Sequence, residues 1–252
     1  MDFPLWQIAV LVVLGTIAGV INALAGGGSN LTVPALMIFG LPPDVANATN
    51  RVSVFLQGLA TASSFKHHDK LPTGDFKHIV IPLFLGAAIG AVCASWAPQE
   101  LLKYLLLGAM ILVALISLVK PSLILAPDGT PPFLMADKPS AKYALLLVGF
   151  YGGFVQAGVG FLLISVFAGV LRYDIVSSNA LKALSALCFT ALSLVIFISR
   201  GQVYWFPGLC LGCGAIIGSL IGVRIALKAS KKSLKWFIFM MTLVAGGAAI
   251  YM

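Results

Sequence analysis

The sequence predicts an all-α integral membrane protein built as two inverted repeats of transmembrane helices, each with a short broken or re-entrant helix, eight long spans plus two short segments in all. Three observations lead there. Of 252 residues, 60% are apolar and 10% charged, and the mean hydropathy is +1.04, which leaves too little polar surface for a soluble domain of this size. Uncharged runs of roughly the 20 residues that cross a bilayer core recur along the chain, leaving no room for a soluble domain. The two halves also resemble each other in order at a spacing of about 130 residues, while their basic loops change sides.

Apolar runs between polar breaks place long helices at about 4–25, 45–65, 78–97, 101–120, 142–160, 175–199, 203–227 and 234–252. The first ends in Ala23-Leu24-Ala25, which resembles a signal-peptide cleavage site, but Asp2 stands where a positive charge is expected, so the segment reads as a retained helix. Two shorter apolar pieces, roughly 29–40 and 161–172, follow glycines and are short for a full span, as broken or re-entrant helices are.

The repeat rests on particular residues. Gly15-x-x-x-Gly19 before Asn22-Ala23 answers Gly149-x-x-x-Gly153 before Gln156-Ala157, and Gly26, Gly27 and Gly28 answer Gly158 and Gly160. Asn50-Arg51 lies opposite Ser178-Asn179 and Lys182, with a register open by one to three residues, and Gly86-x-x-x-Gly90 answers Gly214-x-x-x-Gly218. Lys66, Lys70 and Lys77 crowd the connection before the helix at 78, whereas in the second half the basic cluster Lys228, Lys231, Lys232 and Lys235 falls one connection later. Basic loops stay cytoplasmic, so the halves should have opposite topology, which needs an odd number of crossings in each. Five result if the short piece crosses, three if it folds back, and both stay open. The expected organisation is a first repeat at 1–120, a cytoplasmic linker at 121–141, and a second repeat at 142–252, with both termini outside.

Three successive glycines would break a membrane helix and leave backbone N–H groups unpaired, which is tolerated only inside protein or along a cavity. A helix restarting at Ser29 would aim its N-terminal dipole there, with Asn22, Ser29 and Asn30 as further polar groups, a setting that suits an anion. The alternative is a glycine-rich helix contact. Arg51 and Lys182 lie about seven and eight residues into their helices, roughly 10 Å below the surface, where a charge is functional unless it snorkels out. All eight acidic residues fall in loops or at helix ends, so no mid-membrane carboxylate is expected. The net charge of +8 is spread over short loops instead of one face, which argues against nucleic acid. Cys210 and Cys213 have redox-pair spacing, but with no third or fourth ligand nearby they read as packing residues; no metal, cofactor or enzymatic activity is expected.

The stretch from Gly19 to Arg51, GVINALAGGGSNLTVPALMIFGLPPDVANATNR, resembles the sulfite exporter TauE/SafE family, and SNALKALSAL with FISRGQVYW is similar to that family's second half. The resemblance implies transport of sulfite, sulfoacetate or other organosulfonates, often outward across a bacterial inner membrane. It implies site residues Asn22, Gly26, Gly27, Gly28, Ser29, Asn47, Thr49, Asn50 and Arg51 in the first motif, and Gln156, Gly158, Gly160, Ser178, Asn179 and Lys182 in the second. The expected protein is thus a multi-pass inner-membrane permease for a small anion, with a homodimer left open. A membrane-embedded thiol or sulfur-relay protein using Cys210 and Cys213, or an anion channel, are the alternatives.

Overall fold

The computed structural model describes residues 4–108 and 131–229, and within these every regular element is helical. The elements are α1 (Leu5–Leu24), α2 (Ser29–Ile38), α3 (Pro43–His67), α4 (Phe76–Trp96), α5 (99–108), α6 (Ser140–Phe154), α7 (Val159–Ile164), α8 (Ile175–Ser199) and α9 (Trp205–Lys228). Four of them, α1, α4, α8 and α9, are long and apolar enough to cross a membrane. The expected helix at 101–120 beyond residue 108, the linker from 121 to 130, and the last helix at 234–252 lie outside the described residues.

One expected span is corrected. The helix placed at 142–160 stops at Phe154 after 15 residues, because Gln156 (φ 64°) and Gly158 (φ 75°) turn into the left-handed region and end the α-helical ladder. The short piece placed at 161–172 accordingly starts at Val159, and from Ser165 to Val170 it continues as a π-helical turn. The Ser165 hydroxyl donates back to Phe161 O at 2.9 Å where that widening begins. The corresponding break in the first half comes where expected: α1 ends at Leu24, Gly26 takes φ 97°, and α2 restarts at Ser29.

Helix packing explains the spaced glycines. A β-carbon on Gly15 or Gly19 of α1 would overlap the carbonyls of Leu211 or Ala215 on α9, and one on Gly214 or Gly218 would overlap those of Val12 or Thr16. The same arrangement joins α4 to α6, where Gly86, Gly90, Gly149 and Gly153 lie against backbone of the facing helix. Small residues are what bring helices this close in an apolar solvent, where hydrophobic burial gives little. The outward faces carry Val13 and Ile17 on α1, Ile81 and Ile89 on α4, and Leu209 and Ile217 on α9, all exposed, a surface suited to lipid.

In the middle sit α3 and α8, packed on each other and carrying the buried polar residues Asn47, Asn50, Arg51, Asn179 and Lys182. The two helix breaks meet there as well, with Gly26 and Gly160 so close that a β-carbon on either would overlap the other's backbone.

Gly218→Ala should therefore cost about 1–3 kcal/mol of stability by overpacking α1 against α9. Gly74, with nothing within 4 Å of its would-be β-carbon, is the control, and Gly74→Ala should change stability by less than about 0.5 kcal/mol. Thermal unfolding in detergent reads both.

Candidate functional site

A helix end leaves its last carbonyls without intrahelical donors. In α6, Val155 N and Gln156 N both return to Tyr151 O (2.8 and 3.2 Å), and in α1, Ala25 N and Gly26 N both return to Ile21 O (2.7 and 3.1 Å). The carbonyls that follow are buried and need other partners. Arg51, on α3, supplies them for α6: Nη1 donates to Gly152 O at 3.1 Å and Nη2 to Gly153 O at 2.5 Å. Asn47, one turn earlier, donates to Phe154 O at 2.8 Å. Lys182, on α8, does the same for α1, its Nζ donating to Asn22 O at 2.7 Å with a longer contact to Ala23 O at 3.5 Å. Cations at helix C-termini also complement the helix dipole.

The two cations differ in surroundings. The Arg51 guanidinium lies 4.7 Å over the Phe197 ring and is fully buried. Lys182 has Asn179 Oδ1 at 2.6 Å and faces a cavity of about 40 Å³. Among the described residues neither cation has a carboxylate within ion-pair distance; the ion pair found there is His78–Asp75, at the surface.

The cavity brings together Asn22, Gly26 and Ser29 from the first break with Gln156, Gly160 and Lys182 from the second half. Around it, Asn22 is a hub: Oδ1 accepts from Gly28 N at 2.7 Å, and Nδ2 donates to Gln57 Oε1 at 3.1 Å. One N–H of the glycine loop is therefore taken by a side chain of the protein itself. Asn50 ties Ser29 Oγ (3.1 Å) to Gln156 Oε1 (3.4 Å) and accepts from Thr32 Oγ1 (2.6 Å), while Gln156 Nε2 donates to Thr190 Oγ1 at 2.9 Å. Two donors in the wall, the Gln57 Nε2 amide and the Ser29 hydroxyl hydrogen, make no hydrogen bond among the described residues.

Other expected site residues sit beside the cavity without lining it. Gly27 lies against the Phe161 ring, and Gly158 starts α7. Asn30 is buried with Oδ1 unpartnered among the described residues. Thr49 Oγ1 accepts from Tyr204 N at 2.9 Å, and Ser178 Oγ donates to Tyr173 O at 3.2 Å. Asn47, Asn50, Arg51 and Asn179 hold the helix ends and the network described above.

Gln57 and Thr61 line the cavity and escaped the sequence reading. The signal was there: Val54, Gln57, Gly58 and Thr61 follow the i, i+3, i+4, i+7 spacing of one helix face, polar in the middle of an apolar run. Among the acids, expected in loops or at helix ends, Asp44 keeps to a helix end but is buried. It is in the first turn of α3 at 8% exposure, with Oδ2 accepting from Gln202 Nε2 at 3.3 Å and Oδ1 unpartnered among the described residues. Cys213 is exposed on α9, and neither it nor Cys210 lines the cavity.

Comparison with known proteins places this arrangement in context. The family model described as "Sulfite exporter TauE/SafE" matches residues 11–249. A "Probable membrane transporter protein" of Haemophilus influenzae is 26% identical over 100% of this chain and 97% of its own length. The "Probable membrane transporter protein YfcA" of Escherichia coli K12 is 27% identical, covering 97% of this chain and 90% of its own. "Probable membrane transporter protein ORF9" of a Sinorhizobium species is 27% identical over 93% and 88%.

Removing the clamp on α6 should be costly. Arg51→Met leaves the Gly152 and Gly153 carbonyls buried without donors, and we expect a loss of about 2–5 kcal/mol. Thermal unfolding of the purified protein checks it, and an unchanged transition would contradict the capping role.

Proposed function

Because this chain belongs to the sulfite exporter TauE/SafE family, a family of membrane transporters, we propose that it is an alternating-access carrier for a small anion, sulfite or an organosulfonate such as sulfoacetate, working outward across the bacterial inner membrane. The observation that carries the reading is the cavity at the meeting of the two helix breaks: among the described residues its wall includes Lys182 and no carboxylate, and the Gln57 amide and Ser29 hydroxyl there have donors to spare. A buried ammonium without a counter-charge is costly in a protein interior, and a negatively charged ligand relieves that cost.

The inverted repeat belongs to the same proposal. Exchanging α1 with α6, α3 with α8 and α4 with α9 turns the α1–α9 contact into the α6–α4 contact, and it turns the capping of α6 by Arg51 into the capping of α1 by Lys182. Interrupted helices from inverted repeats that meet around a substrate site are the build of many secondary carriers. The linker between the halves then lies in the cytoplasm and both termini outside. Export needs no protein-bound proton: the membrane potential moves an anion outward by about 2.3 kcal/mol per charge per 100 mV, which for a monovalent anion corresponds to a concentration ratio of about fifty.

Proteoliposomes loaded separately with sulfite, sulfoacetate and the zwitterion taurine test this. The expected result is saturable efflux of sulfite or sulfoacetate, accelerated when the lumen is made negative. Absence of flux for every anion tried would overturn the reading.

A further inference from the structure

We propose that the two buried cations divide the work: Lys182 is the charge that the transported anion binds, and its withdrawal from the end of α1 couples occupancy to that helix, whereas Arg51 is a fixed clamp on α6. The proposal rests on the carrier reading above and adds to it which cation meets the substrate and which helix responds.

Arg51 is tied to α6 by its two terminal nitrogens, while its buried Nε is unpartnered among the described residues. Both Nη atoms hold carbonyls of α6, Asn47 on the same helix holds the next one, and the guanidinium covers an aromatic ring. It does not line the cavity.

Lys182 is also hydrogen-bonded, to Asn22 O at 2.7 Å and Asn179 Oδ1 at 2.6 Å, but unlike Arg51 it lines the cavity. Its one short backbone bond goes to Asn22 O, and Lys182 lines the cavity together with Gln57 and Ser29, whose Nε2 and hydroxyl hydrogen make no hydrogen bond among the described residues. A bound oxyanion gives this ammonium a charged acceptor in place of a neutral carbonyl, and charge-assisted hydrogen bonds are roughly twice as strong. Asn22 is the residue that loses its partner, and it also pins Gly28 N–H at the start of α2 and Gln57 on α3. Weakening the hold on Asn22 therefore reaches the whole first break. The second break reaches the cavity through Gln156 and Gly160, but the residues that cap it, Arg51 and Asn47, do not line the cavity.

Two readouts on the full-length protein test the division. In proteoliposomes, Lys182→Met should raise the KM for sulfite by about tenfold or more, the loss of one charge-assisted bond, and Lys182→Arg should recover part of it. Arg51→Lys should leave KM within about threefold while lowering thermal stability. In hydrogen exchange on the wild type, sulfite should speed exchange several-fold at residues 22–28 and change it by less than about twofold at residues 152–158, by the cap strengths above. This second arm decides the matter if Lys182→Met does not fold. An equal KM shift in Arg51→Lys and Lys182→Met, or a response at 152–158 without one at 22–28, would overturn the proposal while leaving the carrier reading intact. A wild type that moves neither sulfite nor sulfoacetate would remove both.

Discussion

Unpaired backbone groups at helix ends inside an apolar protein set the constraint from which this structure follows. Each break in α1 and α6 leaves carbonyls that no neighbouring N–H reaches, and lipid offers no water in exchange. A long cationic side chain from the other half solves the problem twice, with Lys182 reaching back to α1 and Arg51 to α6. That solution fixes where the halves meet. It also draws α3 and α8 to the centre, because they carry the cations, and it leaves α1, α4 and α9 to present apolar side chains outward.

Charge without counter-charge is the second consequence. Carbonyl dipoles stabilise a buried cation only partly, and among the described residues no carboxylate pairs with either one. Of the two buried cations, Lys182 is the one beside open space, at the cavity. Gln57, Ser29 and Asn22 add hydrogen-bond donors to the same wall.

Much of this was legible in the sequence. Glycine runs inside apolar stretches marked both breaks, and Arg51 and Lys182 stood out as charges at depth. What was hidden depends on where a helix stops. The apolar run through Val155, Ala157 and Val159 looked continuous, so the early end of α6 escaped notice; it comes from positive φ at Gln156 and Gly158, a backbone property that hydropathy does not register. Without that end, the carbonyls that Arg51 caps cannot be named from the sequence, and Arg51 reads only as a charge at depth. Gln57 and Thr61 were missed for a different reason: single polar side chains in an apolar helix are common, and only their shared face shows that they line one space.

Under the carrier proposal, a small oxyanion is held against Lys182 where the two breaks meet. The most direct measurement is a crystal structure grown with selenite, a pyramidal oxyanion whose selenium gives an anomalous signal. The expected signal lies in the cavity, with a selenite oxygen about 3 Å from Lys182 Nζ, a hydrogen-bond distance, and the ammonium shifted off Asn22 O. Selenium bound elsewhere in the protein, with Lys182 still on the α1 carbonyls and the cavity holding only water, would contradict it.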